Sequence, residues 1–189
     1  MNLYLLRVRR WWTLPLALAL LLLVCWSVGS SEVPVPNLFG GMAGARLDYF
    51  SPLFVVVASM YCMERRLHEA EATAVAPVRQ YDRGAVVLTV VLAHIAGLMV
   101  GMDVARNITL LLALALCARR FANEAVAATA GLMFLIINLI LGRTLQPNGG
   151  TAHAWWALAL YPAGSAAAWL LTMGLFALSL WTVQARRTT

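Results

Sequence analysis

The residues that could do chemistry are concentrated in one stretch of the chain, residues 64–83 (ERRLHEAEATAVAPVRQYDR). This stretch holds four of the eight acids and four of the fourteen bases of the protein. Carboxylates and guanidinium groups mixed along one segment are suited to complementary pairing with a protein surface. The same arginines could instead only fix the orientation of a loop at a membrane, and the residues of the stretch leave both interpretations open.

Other kinds of chemistry find little support in the sequence. The histidines and the cysteines are too far apart for a zinc or a redox motif; they are His68, His94, His153, Cys25, Cys62 and Cys117. Every base is an arginine, and a Walker A phosphate loop requires a lysine. We therefore expect no catalytic residue, metal or cofactor in this chain, and any ATP would be bound by another polypeptide.

The elements that must position the charged stretch are strongly apolar. Hydrophobic residues make up 62% of the chain and charged residues 12%, about half the charge of an ordinary soluble domain. Because a membrane helix needs about 20 apolar residues, we expect an all-α membrane protein with a single domain of six transmembrane helices. The predicted spans are residues 11–29, 47–63, 84–102, 107–118, 125–142 and 165–183.

The segments between the spans carry turn residues and charge. Residues 30–46 and 143–154 contain Gly and Pro and are predicted as loops, and residues 103–107 are predicted as a polar link. Pro162 and Gly164 divide the last apolar region, so a short outer helix is expected at 155–161, before the sixth span. Its aromatic residues are typical of a membrane interface. Asp48 and Asp103 are expected to be solvated at the outer ends of spans.

The arginines predict the orientation of such a bundle, because they accumulate on the cytoplasmic side of membranes. With six spans, three arginines fall on one side, Arg46, Arg106 and Arg143, and the other eleven fall on the side of both chain ends. We therefore expect both termini and the charged stretch in the cytoplasm, with the chain in a bacterial plasma membrane.

The charged stretch itself has the composition of a helix that extends the second span into water. Residues 64–76 contain strong helix formers and neither Gly nor Pro. Pro77 is expected to stop this helix, and residues 79–83 are expected to turn the chain back towards the third span.

Here the chain resembles the type-2 ABC exporter permeases, the six-span membrane subunits of ATP-driven exporters. The family has a cytoplasmic E-R-x-x-[small]-[TE]…P-[VS]-[RS] segment after span two, and it is matched by Glu64, Arg65, Glu69, Ala74, Pro77, Val78 and Arg79. Residues 110–136 are similar to the family's small-residue span, polar elbow and Ala-rich span. The divided ending at 155–161 and 165–183 is also similar. The usual Gly after the Glu-Arg pair is missing.

The resemblance implies a non-catalytic transport subunit. Two permeases, identical or paralogous, would enclose a pathway for an amphipathic or hydrophobic substrate, and separate ABC ATPases with ATP and Mg would bind beneath them. The coupling segment that contacts the ATPase would comprise Glu64, Arg65, Arg66, Leu67, His68, Glu69, Glu71, Ala74, Pro77, Val78 and Arg79.

A few polar or small residues within the spans are candidates for a pathway or a dimer seam: His94, Gly97, Gly101 and Asn138. Each also has a simpler interpretation. His94 would be a hydrogen-bonded packing residue, the G-x-x-x-G pair would allow close helix packing, and Asn138 would bond a neighbouring helix. Arg120 and Glu124 are expected to pair locally.

Two other classes of function stay open on the residues alone. One is a polytopic membrane enzyme or assembly factor with its site among the spans. The other is a small membrane sensor or immunity protein that uses residues 64–83 as a cytoplasmic docking arm. Nucleic acid is not an expected partner, because the arginines follow the membrane topology and form no dense patch.

Overall fold

The computed structural model describes residues 10–28, 31–36, 42–64, 78–145 and 151–185. These residues are mostly helical and include six α-helices: α1 Thr13–Val28, α2 Pro52–Glu64, α3 Val78–Val100, α4 Met102–Ala118, α5 Glu124–Leu141 and α6 Ala166–Ala185. Short 3₁₀ helices lie at Leu47–Phe50 and Leu158–Leu160. Two antiparallel hairpins complete the described fold, β1 Glu32–Pro36 with β2 Met42–Arg46, and β3 Arg143–Leu145 with β4 Thr151–His153.

One helix among the described residues, α3 over Asp82–Val100, is long and apolar enough to cross a membrane. Thr13–Val28, Ala125–Leu141 and Ala166–Trp181 are apolar but shorter. The helical character of the chain is therefore confirmed, whereas the six spans stay a prediction.

The helices pack around a core and leave much of their apolar surface outside. Fully buried positions include Val55, Leu111 and Leu112. Large apolar side chains are also exposed on the outer faces of the helices, for example Leu98 of α3, 77% exposed, and Leu170 of α6, 75% exposed. Both the interior and the exterior of this bundle are thus apolar along the helices.

One end of the bundle, which we call the arginine end, collects the start of α1 and the ends of α2 and α4. Arg10 donates a hydrogen bond to the phenol oxygen of Tyr61 at 2.8 Å. The hydroxyl of Thr13 lies 3.0 Å from the sulfur of Cys62. Arg119, just after α4, bonds Met63 in the last turn of α2.

The opposite end, which we call the hairpin end, carries both β-hairpins. Arg143 of β3 donates a hydrogen bond to the carbonyl oxygen of Gly44 in β2 at 2.7 Å. A small apolar cluster of Ala45, Leu139, Ala157 and Leu160 lies under the hairpins. The described arginines are therefore divided between two ends, as the sequence predicts.

The boundaries of α3 and α4 differ from the predicted ones. Residues 79–83 continue α3 and do not form a turn, because they contain no helix breaker. Residues 103–107, predicted as a polar link, form the first turns of α4. The link is the single residue Gly101, whose φ of +139° is readily adopted only by glycine.

The predicted loops at 30–46 and 143–154 contain paired strands. In the first hairpin Pro34 lies opposite Gly44, where a residue without an N–H group is tolerated because β1 is an edge strand. The outer helix predicted at 155–161 is only the 3₁₀ turn Leu158–Leu160. The other predicted helices agree with α1, α2, α5 and α6 to within a few residues.

Candidate functional site: the two ends of helix α4

Helix α4 is the central helix of the bundle. Its side chains are buried from Val104 to Ala113, and also at Ala115 and Leu116. It packs against α2, α3, α5 and α6. A helix that is enclosed on every side cannot move without moving its neighbours. The contacts at its two ends therefore determine which parts of the bundle move with α4.

At the arginine end, Arg119 binds the last turn of α2. Its Nη2 donates a hydrogen bond to the carbonyl oxygen of Met63 at 3.0 Å, and its Nη1 lies 3.3 Å from the sulfur of the same residue. The last carbonyls of a helix lack helical partners and carry the negative end of its dipole. Arg119 satisfies one of these carbonyls with a positive charge and fixes the end of α2 to the end of α4.

The predicted coupling segment begins next to this contact. Glu64, the last residue of α2, is exposed, and α3 begins at Val78. The rest of the predicted set lies outside the described residues, namely Arg65, Arg66, Leu67, His68, Glu69, Glu71, Ala74 and Pro77, and the side chains of Val78 and Arg79 do as well. The helical structure predicted for 65–77 therefore stays a prediction.

At the hairpin end, Arg106 of α4 binds the segment 159–162, which we call the strap. Its Nη2 donates to the carbonyl oxygen of Tyr161 at 2.6 Å and its Nη1 to that of Pro162 at 3.0 Å. Asn107 donates to the carbonyl oxygen of Ala159 at 3.1 Å. The first turns of α4 are therefore fixed to the strap by several hydrogen bonds.

The burial of Arg106 is unusual for a charged side chain. It is 0% exposed, and burying a charge is costly unless it is paired and hydrogen-bonded. The strap carbonyls supply the hydrogen bonds, and Asp103, one turn earlier, interacts with Arg106 electrostatically. The buried Nε has no acceptor among the described residues. Arg106 is thus held mainly by backbone dipoles.

A second buried charge lies nearby in the 3₁₀ helix Leu47–Phe50. Asp48 is 3% exposed and pairs with Arg46. Its main-chain carbonyl accepts a hydrogen bond from the hydroxyl of Ser51 at 2.7 Å. The prediction that solvent surrounds Asp48 is wrong, because the 3₁₀ helix that carries it packs against α1, α2 and α4. Asp103 is half-buried.

His153 lies in β4 of the second hairpin. Burial, and in second place the charge of Arg143, lower the pKa of His153 below its ordinary value. Its ring packs against Tyr161 of the strap, with the ring centroids 6.1 Å apart. The second hairpin and the strap are therefore in contact.

His94 lies on α3 and faces α6. Its Nδ1 lies 2.7 Å from the carbonyl oxygen of Val90, and its ring contacts Trp169 with a centroid distance of 5.5 Å. Because a carbonyl only accepts hydrogen bonds, Nδ1 carries the proton in this contact. Nε2 is buried and has no partner in the described part of the chain. These contacts agree with the packing interpretation of His94, and its role in a pathway stays a prediction.

Gly97, Gly101 and Asn138 contribute to packing within the chain. A Cβ on Gly97 would lie 2.6 Å from the Cβ of Ala105, so the glycine allows α3 and α4 to approach closely. Asn138 donates to the carbonyl oxygen of Phe134 in its own helix at 2.8 Å, and the predicted bond to a neighbouring helix is not seen among the described residues. Its Oδ1 has no partner among the residues described.

The other predicted pair, Arg120 with Glu124, does not lie on one helix. Arg120 is in the turn after α4, and Glu124 is the first residue of α5. Asn123 begins α5 as its N-cap, with its side-chain oxygen 2.9 Å from the backbone nitrogen of Val126. The polar residue Asn123 of the turn between α4 and α5 thus begins α5.

Sequence reasoning missed the roles of Arg106 and Arg119. Both residues fall in predicted connections between spans, because charged residues in an apolar chain usually lie in water. The available signal was the spacing of Asp103, Arg106 and Asn107, which places the three on one helical face, next to an apolar run that already predicts a helix.

Comparison of the chain with family models, with curated proteins and with solved structures finds no match in any of the three. The functional conclusion below is therefore based on the residues and their geometry.

Proposed function

We propose that the chain is the membrane-spanning permease subunit of an ATP-driven ABC exporter, and that residues 64–79 are the segment contacted by separate ATPase subunits. The observation that carries this proposal is the hydrogen bond from Arg119 to Met63. It fixes the central helix α4 to the residue next to the proposed segment, so a force applied to that segment acts on α4.

The surface of the bundle supports a membrane location. Soluble monomers rarely expose contiguous apolar surface along several helices, but Leu23 of α1, Leu98 of α3 and Leu170 of α6 are each more than 60% exposed. The described arginines lie at the two ends. In this proposal the six helices cross a bacterial plasma membrane and the arginine end is cytoplasmic.

The two ends of α4 suggest how the ends of the bundle are coupled. Arg119 connects α4 to α2 at the arginine end, and Arg106 connects it to the strap at the hairpin end. The 17 residues of α4 form a rod about 25 Å long, and packed helices move as bodies. Closure of the ATPases would push on residues 64–79, displace α4 and move the strap at the outer end.

A second permease, identical or paralogous, would complete the pathway, and ATP and Mg would be bound by the partner ATPase. An amphipathic or hydrophobic substrate fits a bundle with apolar outer faces, because such a molecule partitions into the lipid beside it. His94 is the proposed pathway residue, because an ionisable side chain within a span is a candidate for function and its Nε2 is buried.

The test is affinity purification of the full chain from its native membrane, followed by identification of bound Walker-motif ATPases. The variant E64K/E69K reverses two charges of the proposed segment. E32K is the matched control, since Glu32 is exposed at the hairpin end. We expect the ATPase to co-purify with the parent chain and with E32K, and its recovery to fall at least about tenfold with E64K/E69K.

Unchanged ATPase recovery and unchanged transport in E64K/E69K would refute the coupling role of the segment. A chain that purifies without any ATPase would refute the exporter and favour the docking-arm alternative.

A further inference from the structure

Asp48 is a buried carboxylate whose two oxygens have different surroundings. The residue is 3% exposed, although its 3₁₀ helix, Leu47–Phe50, precedes α2 and lies outside the six α-helices. Its Oδ2 pairs with Arg46, whereas its Oδ1 is buried and has no hydrogen-bond partner among the described residues. An unpartnered oxygen on a buried carboxylate is costly, so Oδ1 is a candidate for binding a ligand.

The backbone around Asp48 is held by the elements that surround it. The 3₁₀ helix packs against α1, α2 and α4. The hydroxyl of Ser51 donates to the main-chain carbonyl oxygen of Asp48 at 2.7 Å, and the thiol of Cys25 in α1 bonds the same hydroxyl at 3.2 Å. Full hydration of the carboxylate therefore requires this packing to loosen.

Charged and titratable groups face Asp48 from its own segment and from two of the helices. Arg46 and Tyr49 belong to the same segment, Cys25 faces Asp48 from α1, and Asp103 faces it from the first turn of α4. Burial raises the pKa of Asp48 above its ordinary value against the opposing charge of Arg46, and the like charge of Asp103 adds to the rise. The surroundings of Asp48 thus favour its neutral form.

A metal ion does not suit Oδ1 of Asp48. Calcium and magnesium take about six oxygen ligands, and the described residues contain no group of three acidic, histidine or cysteine side chains that could hold a metal ion. Arg46 already supplies a cation at Oδ2. A proton needs only the one oxygen and removes the charge that burial opposes. The side chain of Arg46 is 47% exposed, so its own charge stays hydrated after the pair is neutralised.

We propose that Asp48 is a proton-binding site of the hairpin end, and that the bound proton stabilises the packing of the 3₁₀ helix against α1, α2 and α4. The proton comes from water and forms an O–H bond at Oδ1. It returns to water when the packing loosens and the carboxylate is hydrated. The packed form binds the proton more tightly than the loosened form, so it gains stability as the pH falls through the pKa of Asp48.

This site goes beyond the proposed function and does not depend on an ATPase. In the orientation proposed above, the hairpin end faces the outer solution, and the acidity outside the cell would then set the occupancy of Asp48.

The experiment is an infrared titration of the full chain in dodecyl maltoside, a detergent without a carbonyl group, from about pH 8 to about pH 4. The carbonyl stretch of protonated carboxylic acids is followed. We expect a band that grows with a midpoint above the ordinary value of 3.8 and is lost in D48N. E32Q is the matched control, since Glu32 is an exposed carboxylate of the first hairpin, and it should keep the band. D103N should move the midpoint to lower pH.

Hydrogen exchange of the amides of residues 44–51 tests the effect of the proton on packing. D48N imitates the neutral side chain, so we expect exchange about threefold slower than in the parent chain at about pH 7.5, and a smaller difference at about pH 4. E32Q should exchange at the parental rate. Comparison at one pH removes the intrinsic pH dependence of exchange and the contribution of His153.

A band that persists in D48N, or a midpoint at or below 3.8, would overturn the inference. Exchange in D48N as fast as in the parent chain at about pH 7.5 would also overturn it. These outcomes are separate from the recovery of an ATPase, which tests the proposed function.

Discussion

Arg119 donates a hydrogen bond of 3.0 Å to the carbonyl oxygen of Met63, a residue 56 positions earlier in the chain. This bond joins the end of the central helix α4 to the last turn of α2. Met63 is followed by Glu64, the last described residue before 65–77.

Replacing Arg119 with Ala should loosen the end of α2. The change leaves the half-buried carbonyl of Met63 without its charged donor, so we expect a loss of about 1–2 kcal/mol in the free energy of unfolding. Hydrogen exchange in the last turn of α2 should become faster. Arg120→Ala is the control, because Arg120 is exposed in the same turn. Equal effects of the two changes would contradict the role given to Arg119.

Replacing Arg106 should release the strap. Arg106→Met removes the donors to the carbonyls of Tyr161 and Pro162, so we expect a loss of about 3 kcal/mol and faster amide exchange at 159–165. Arg106→Lys keeps the charge but not the two-pronged geometry, and an intermediate loss is expected. A strap that exchanges at the parental rate in Arg106→Met would show that other contacts hold it.

The close approach of α3 and α4 depends on the absence of a side chain at Gly97. Gly97→Ala would place a Cβ 2.6 Å from that of Ala105, and overpacking of this kind costs about 1–3 kcal/mol. The double variant G97A/A105G should recover most of the loss in denaturant unfolding. Gly174→Ala is the contrasting control: nothing lies within 4 Å of the new Cβ, so this change should be neutral or stabilise by up to about 1 kcal/mol.

The β3–β4 hairpin should weaken in mild acid. Because the pKa of His153 is lowered in the folded protein, the proton binds the unfolded chain more readily. The neutral form of His153 therefore contributes fully to the free energy of unfolding above the ordinary pKa of 6.5. This contribution is lost as the pH falls below that value. Amide exchange of the hairpin should be faster at about pH 5.5 than at about pH 7.5. The extra acid sensitivity should disappear in His153→Gln.

The sequence predicts the helices well and their connections poorly. Runs such as residues 11–29 and 125–142 identify α1 and α5, because apolar length is a local property. The hairpins were missed because Pro34 and the glycines of residues 30–46 are typical of loops, and because strand pairing depends on a partner elsewhere in the chain. Arg106 was placed in a solvated link, since the strap that binds it lies more than fifty residues away.

The same difficulty applies to the candidate site. Residues 64–83 are conspicuous in composition, so the sequence alone identifies the segment. The contact beside this segment is the bond from Arg119 to Met63, which depends on how α2 and α4 pack. A single sequence contains no local signal for that arrangement.

The bond between Arg143 and Gly44 has a consequence for biosynthesis. The two residues are 99 positions apart, so the first hairpin is made long before its partner exists. At synthesis rates of about 5–20 residues per second, this wait is roughly 5–20 s. During that time the carbonyl oxygen of Gly44 lacks this donor, and the contact between the two hairpins forms only after α5 has been translated.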